Sequence, residues 1–211
     1  MKFFTRIFLI ALALVGGGAI IVGAWLMSGG IGARPEPGRM ETMLARRLRS
    51  LAIPRSARDR KNPVELTAQS LRSGMAHFAD HCASCHANDG SGDTEMGRSV
   101  YPRSPDMRKD ATQALSDGEL FFIIENGVRL TGMPAWGTGT PEGEQASWHL
   151  VQFVRHLPKL TDGELAEMST LNPKSPDQWR EEEEARRFLE GGTGATTTPA
   201  PPRRRHPGGT R

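Results

Sequence analysis

Both cysteines of this 211-residue chain stand in one six-residue run, His81-Cys82-Ala83-Ser84-Cys85-His86. No other stretch constrains the fold as much. Two cysteines this close cannot cross-link distant parts of a chain, so stability must come from packing and from whatever the run binds. The spacing has a chemical meaning. Two thiols one helical turn apart can each add to a vinyl group on the same porphyrin edge. The imidazole of the next residue can then reach the iron from one face. C-x-x-C-H is the attachment pattern of a c-type haem. On this reading Cys82 and Cys85 form thioether bonds, His86 takes the fifth iron position, and the chain carries one haem c.

Two other uses of such a run are weaker. A structural zinc site draws four ligands, usually from two separated pairs. Here the candidates His77, His81 and His86 crowd the same strip as the cysteines, and no second pair exists elsewhere. A thioredoxin-like dithiol belongs in a βαβ setting, and no strand pattern surrounds this pair.

At the N-terminus, Lys2 and Arg6 precede residues 7–27, which carry no charge. As a helix that stretch spans about 31 Å, enough for a bilayer core. A basic start before an apolar run also describes a signal peptide. The length favours a retained anchor, with Val22-Gly23-Ala24 and Ile31-Gly32-Ala33 as weak cleavage sites. Either outcome exports the rest of the chain. The sequence therefore divides into a membrane anchor (1–30), a basic linker (31–63), a haem domain (64–160), a short helical extension (161–190) and a flexible tail (191–211).

The net charge of +3 hides a division. Residues 65–159 hold 8 basic and 12 acidic side chains, whereas residues 33–61 hold 9 basic and 3 acidic. The compact part is acidic, and the basic run lacks interleaved aromatics, which argues against nucleic-acid binding. Aromatic residues make up only 6% of the chain, so a porphyrin would supply apolar bulk to a small core.

The periodicity predicts an all-α domain. A helix from 63 or 64 to about 80 carries Leu71, Met75 and Phe78 on one face, and Gly74 beside them admits a close neighbour. It runs straight into the cysteine motif. Residues 87–115 are irregular and rich in glycine and proline, a long loop of the kind that serves a function. Ser116 and Glu119 form a capping box for a helix over 117–126, with Gly127 as its C-cap. A loop over 128–141 carries Met133, and a closing helix spans 142–157. Thr161 and Glu164 repeat the capping pattern. Residues 39–51 form a short basic helix whose Met40, Met43, Leu44, Leu48 and Leu51 either pack on a neighbour or lie on the membrane. Residues 178–189 form an exposed helix.

A sixth iron ligand must come from a distant loop. Among the nine methionines, Met96, Met107 and Met133 lie in suitable segments. Met133 is preferred, because it sits between glycine and proline in a loop with no apolar face to join. Met96, Met107 and bis-histidine ligation through His149 or His156 are the alternatives. A thioether ligand stabilises ferrous iron and raises the potential. It also closes the iron to small molecules, so the reading is one-electron transfer and not substrate catalysis. A haem-bearing subunit of a membrane oxidoreductase complex and a haem-based ligand sensor are the other functional classes.

From residue 66 to 160 the chain resembles a class I cytochrome c. The parts are Gly74, Phe78, Cys82, Cys85 and His86 in order, then the Met133 loop, then a closing helix. Residues 125–136, Glu-Asn-Gly-Val-Arg-Leu-Thr-Gly-Met-Pro-Ala-Trp, are similar to bacterial membrane-anchored mono-haem cytochromes c. The resemblance implies that Gly74 and Phe78 meet the Phe153 region where the first and last helices cross. It implies that a proline carbonyl, Pro102 first and Pro105 second, accepts from the second ring nitrogen of His86. It also implies a single-pass protein of the bacterial inner membrane with its haem domain in the periplasm, exchanging electrons with redox protein partners.

Overall fold

The computed structural model describes residues 2–28 and 32–189; the tail expected over 191–211 lies outside them. Every regular element among the described residues is helical. Helix α1 (Lys2–Ser28) contains the apolar segment Phe3–Ala24, with a mean hydropathy of 2.6 and no part of it buried. It is long and apolar enough to cross a bilayer. After it come α2 (Arg39–Ala52), the single turn α3 (Arg55–Arg58) and α4 (Ala68–His77).

Helix α4 starts later than the periodicity predicts, for a local reason. Asn62 holds the preceding stretch extended: its Oδ1 accepts from Val64 N at 2.9 Å and its Nδ2 donates to the Trp148 carbonyl at 3.0 Å. Gln152 donates to the Val64 carbonyl at 2.8 Å. A side chain that pairs with nearby backbone competes with the helix. Thr67 then caps α4, accepting from Ser70 N while the Ser70 hydroxyl accepts from Thr67 N.

A π-helical turn, Phe78–Cys82, carries α4 into α5 (Ala83–His86). The intervening loop holds two more turns, α6 (Glu95–Ser99) and α7 (Asp110–Gln113). Then α8 (Asp117–Asn126) opens with the Ser116–Glu119 capping box and closes at Gly127, whose φ is 65°. Thr140 caps α9 (Pro141–His156), and Thr161 caps α10 (Asp162–Leu171).

The main packing event is the crossing of α4 on α9. Gly74 makes it possible, since a β-carbon there would strike the His149 carbonyl and press on Phe153. The Phe78 and Phe153 rings lie 5.1 Å apart at this contact. Phe78, Leu150, Val151, Phe153, Trp148, Leu157 and Met168 are all but fully buried, each contributing about 1.5–3 kcal/mol. Phe121 of α8 stacks on Trp148 at 4.0 Å.

The compact unit takes in more chain than residues 64–160. On its N-terminal side Ile53 is buried. Arg58 pairs with Glu119 at 3.3 Å, and its carbonyl accepts from the Ser116 hydroxyl at 2.7 Å. Gly118 lets the α3 carbonyls approach α8. On the C-terminal side α10 belongs to the core through Met168. This unit ends at Asn172, and α11 (Pro176–Leu189) belongs to a second one. Within that second unit Lys174 pairs with Glu182 at 2.7 Å and lies 5.1 Å from the Trp179 ring.

Candidate haem site

The cysteine run follows α4, the helix that crosses α9. Phe78 and Ala79 are buried in the core, and the π turn they begin swings the next residues outward; such turns recur at functional sites. Cys82 and Cys85 lie half-buried and unlinked to each other. Burial, with the Cys85 thiol beside it, pushes the Cys82 thiol up to about 12.

His86 is the last residue of α5 and is buried. Ala87 comes next at φ 58°, which ends the helix at once. The freed carbonyls of α5, which any helix end must satisfy, are taken up by the wrap after it. Gly92 N donates to the His86 carbonyl at 2.8 Å, and the Thr94 hydroxyl donates to that of Cys85 at 3.2 Å. Gly97 packs on the same Cys85 carbonyl, where no side chain would fit.

The wrap also fixes a proline beside the imidazole. Gly92, at φ 74°, lies against the Ser104–Pro105 backbone. Ser104 N donates to Gly97 O at 3.0 Å, and Met107 N to Gly90 O at 2.8 Å. The backbone acceptor facing His86 is consequently Pro105. Pro105 was the second of the two expected prolines; Pro102, the first, is exposed. Nδ1 of His86 is buried and short of a full hydrogen bond. Burial holds the ring below the ordinary histidine value, against the opposing pull of the Pro105 carbonyl. The neutral imidazole so favoured is the form that binds a metal.

Met133 lies on a loop hung from α8 by its backbone. Val128 N donates to the Met133 carbonyl at 3.1 Å, Trp136 N to Ile124 O at 3.0 Å, and Gly137 N to Glu125 O at 3.1 Å. Thr131 shapes the tip: its hydroxyl donates to Val128 O at 2.8 Å and accepts from Met133 N at 3.1 Å. Thr131 shapes the Met133 loop, and motif and periodicity miss it. Its one signal in the sequence is a hydroxyl two residues ahead of the methionine in a loop, where such side chains bond nearby backbone. Two contacts join this loop to the His86 side. The Trp136 ring meets His81 edge-on at 5.2 Å, and Gly132 lies against the Val100 side chain.

The other candidates have surroundings of their own. Met96 is exposed on α6, and Met107 packs on the hydrophobic core. His156 pairs with Glu164 at 2.8 Å. His149 is half-buried near His77, whose ring lies 4.9 Å from that of His81.

The residues present fit a covalently held haem. Two unlinked thiols stand one turn apart, a buried imidazole with an orphaned nitrogen adjoins them, and a thioether side chain lies on a loop tied to the same segment. An all-helical domain organised this way is consistent with a class I c-type cytochrome domain. Residues 69–154 match the family model described as cytochrome c oxidase, cbb3-type, subunit III. No curated protein matches the chain. The domain carries haem c covalently and serves haem-based electron transfer.

Proposed function

We propose that the chain is a membrane-anchored carrier of single electrons, in which His86 and Met133 would hold the haem iron. When bound, haem supplies an iron that gains and loses one electron. His86 would hold the iron, with the Pro105 carbonyl, in place of Pro102, orienting its ring. Met133, on the loop after α8, would also hold the iron and would keep water and small molecules from it. Cys82 and Cys85 hold the porphyrin edge so that neither redox state can release it. The observation that carries this reading is the edge-on contact of Trp136 with His81 at 5.2 Å. It ties the methionine loop to the cysteine run across the site.

Helix α1 supports a single-pass anchor in the bacterial inner membrane, and covalent haem supports a domain on the periplasmic side. The test of closure is carbon monoxide added to the reduced full-length protein. An unchanged spectrum is expected. Ready carbon monoxide binding would refute the closed site and favour a ligand sensor.

A second reading is favoured by the family match over residues 69–154. The chain would be the haem-bearing subunit of a membrane oxidoreductase complex and pass electrons to or from a catalytic partner. Purification from mild detergent decides between the two. A stoichiometric oxidase or dehydrogenase subunit supports the complex, and an isolated chain supports the carrier.

A further inference from the structure

Helix α2 has an apolar face that no other described residue covers. Met40, Leu44, Leu48 and Leu51 share one side of it. Their exposures are 71%, 58%, 55% and 81%. The opposite side is the one that meets the haem domain. Thr42, Arg49 and Ser50 are half-buried there, and Arg58 donates to the Ser50 carbonyl. At the other end Tyr101 bonds Glu41. The segment before α2 is tied down as well, since Arg103 reaches Glu36 at 3.1 Å and the Arg34 carbonyl at 3.4 Å. The helix is thus fixed to the domain by one face and presents the other outward.

Two further features say what covers that face. The first is the charge beside it. Arg39, Arg46 and Arg47 line a groove of about 490 Å³ along α2, and within the helix Glu41 is the single acidic residue. The second is reach. Arg39, the start of α2, stands only eleven positions after Ser28, the end of α1. Such a tether extends at most about 40 Å, so α2 cannot leave the neighbourhood of the bilayer that holds α1. An apolar stripe flanked by arginines at a membrane surface is the pattern of an interfacial helix.

We propose that α2 lies in the headgroup region of the anchoring membrane, its leucine–methionine face among the acyl chains and its arginines on anionic phosphates. The proposal rests on α1 being a retained anchor. The haem domain then has two attachments, one through α1 and one through α2. The second limits which face the domain turns to partners.

The test is hydrogen exchange of residues 39–52 in the full-length holoprotein, one chain per nanodisc. Discs of phosphatidylcholine with one-third phosphatidylglycerol are compared with discs of phosphatidylcholine alone. A 14-residue helix frays readily in water, so burial in lipid slows exchange strongly. We expect exchange at least tenfold slower in wild type than in Leu44→Glu plus Leu48→Glu in the anionic discs. Protection should weaken in the neutral discs and in Arg46→Glu plus Arg47→Glu. The altered side chains are exposed, so the haem spectrum serves as the control for folding. Equal exchange in wild type and the leucine variant would overturn the proposal. So would protection that arises only with two chains per disc, which would mean a second copy covers the face. Failure of the wild-type chain to enter discs would overturn the anchor reading, and the proposal with it.

Discussion

The two sides of the proposed haem site are built by different means. The His86 side grows out of the core. Its helix is locked by the Gly74 crossing and its last carbonyls are taken up by Gly92 and Thr94. The Met133 side is a loop held by backbone hydrogen bonds and one threonine hydroxyl. Its tip, Leu130, is 94% exposed and strained at φ 62°. A core-built side resists change until packing fails, whereas a loop responds to single hydrogen bonds. Damage to the first side should remove haem or fold, and damage to the second should change only ligation.

The sharpest break is expected at the cysteines. Cys82→Ser with Cys85→Ser should abolish covalent haem, read as complete loss of haem staining on a denaturing gel. Gly74→Val should cost about 3 kcal/mol, because the new side chain meets the rigid His149 backbone. Thermal unfolding of the holoprotein measures it, and an unchanged midpoint would show that the crossing yields more than the structure suggests.

On the loop side, Thr131→Val should cost about 1 kcal/mol and leave haem attached. The reduced variant should bind carbon monoxide faster than wild type, since the methionine loop loses both of its hydroxyl bonds. Equal rates would mean the loop needs no such brace.

A smaller effect concerns Asp106, next to Pro105. Two hydrogen bonds from the Arg108 side chain, at 2.8 and 3.0 Å, lower its carboxyl from 3.8 to about 2, although partial burial opposes this. A depressed folded-state value stabilises the fold above the unfolded value. That contribution is therefore complete above pH 3.8 and is lost as pH falls to about 2. Arg108 is 37% exposed, so solvent screening keeps it to about 1 kcal/mol. Asp106→Asn should flatten the acid-side fall in stability over that window.

Much of this contrast was legible in the sequence, for identifiable reasons. The cysteine motif, the Ser116–Glu119 box and Gly127 are local signals, and each lies where its pattern puts it. Gly74 pointed to a close crossing because a small residue on an apolar helical face has few other uses. What escaped was long-range. That Asn62 would bond the Trp148 backbone depends on residues 86 apart, and it moves the start of α4. The choice of Pro105 over Pro102 depends on how Gly92 and Gly97 fold the wrap, which no period encodes. The packing of Ile53 and Met168 escaped too, because each is one buried side chain in a segment whose other apolar residues are exposed or half-buried.

The most direct measurement is the reduced-minus-oxidised spectrum of the full-length protein in Met133→Ala, beside Met96→Ala and Met107→Ala. All three should keep covalent haem, and only Met133→Ala should lose the low-spin, methionine-ligated spectrum. Retention of that spectrum in Met133→Ala, or its loss in either of the other two, would contradict a closed site with Met133 on the iron.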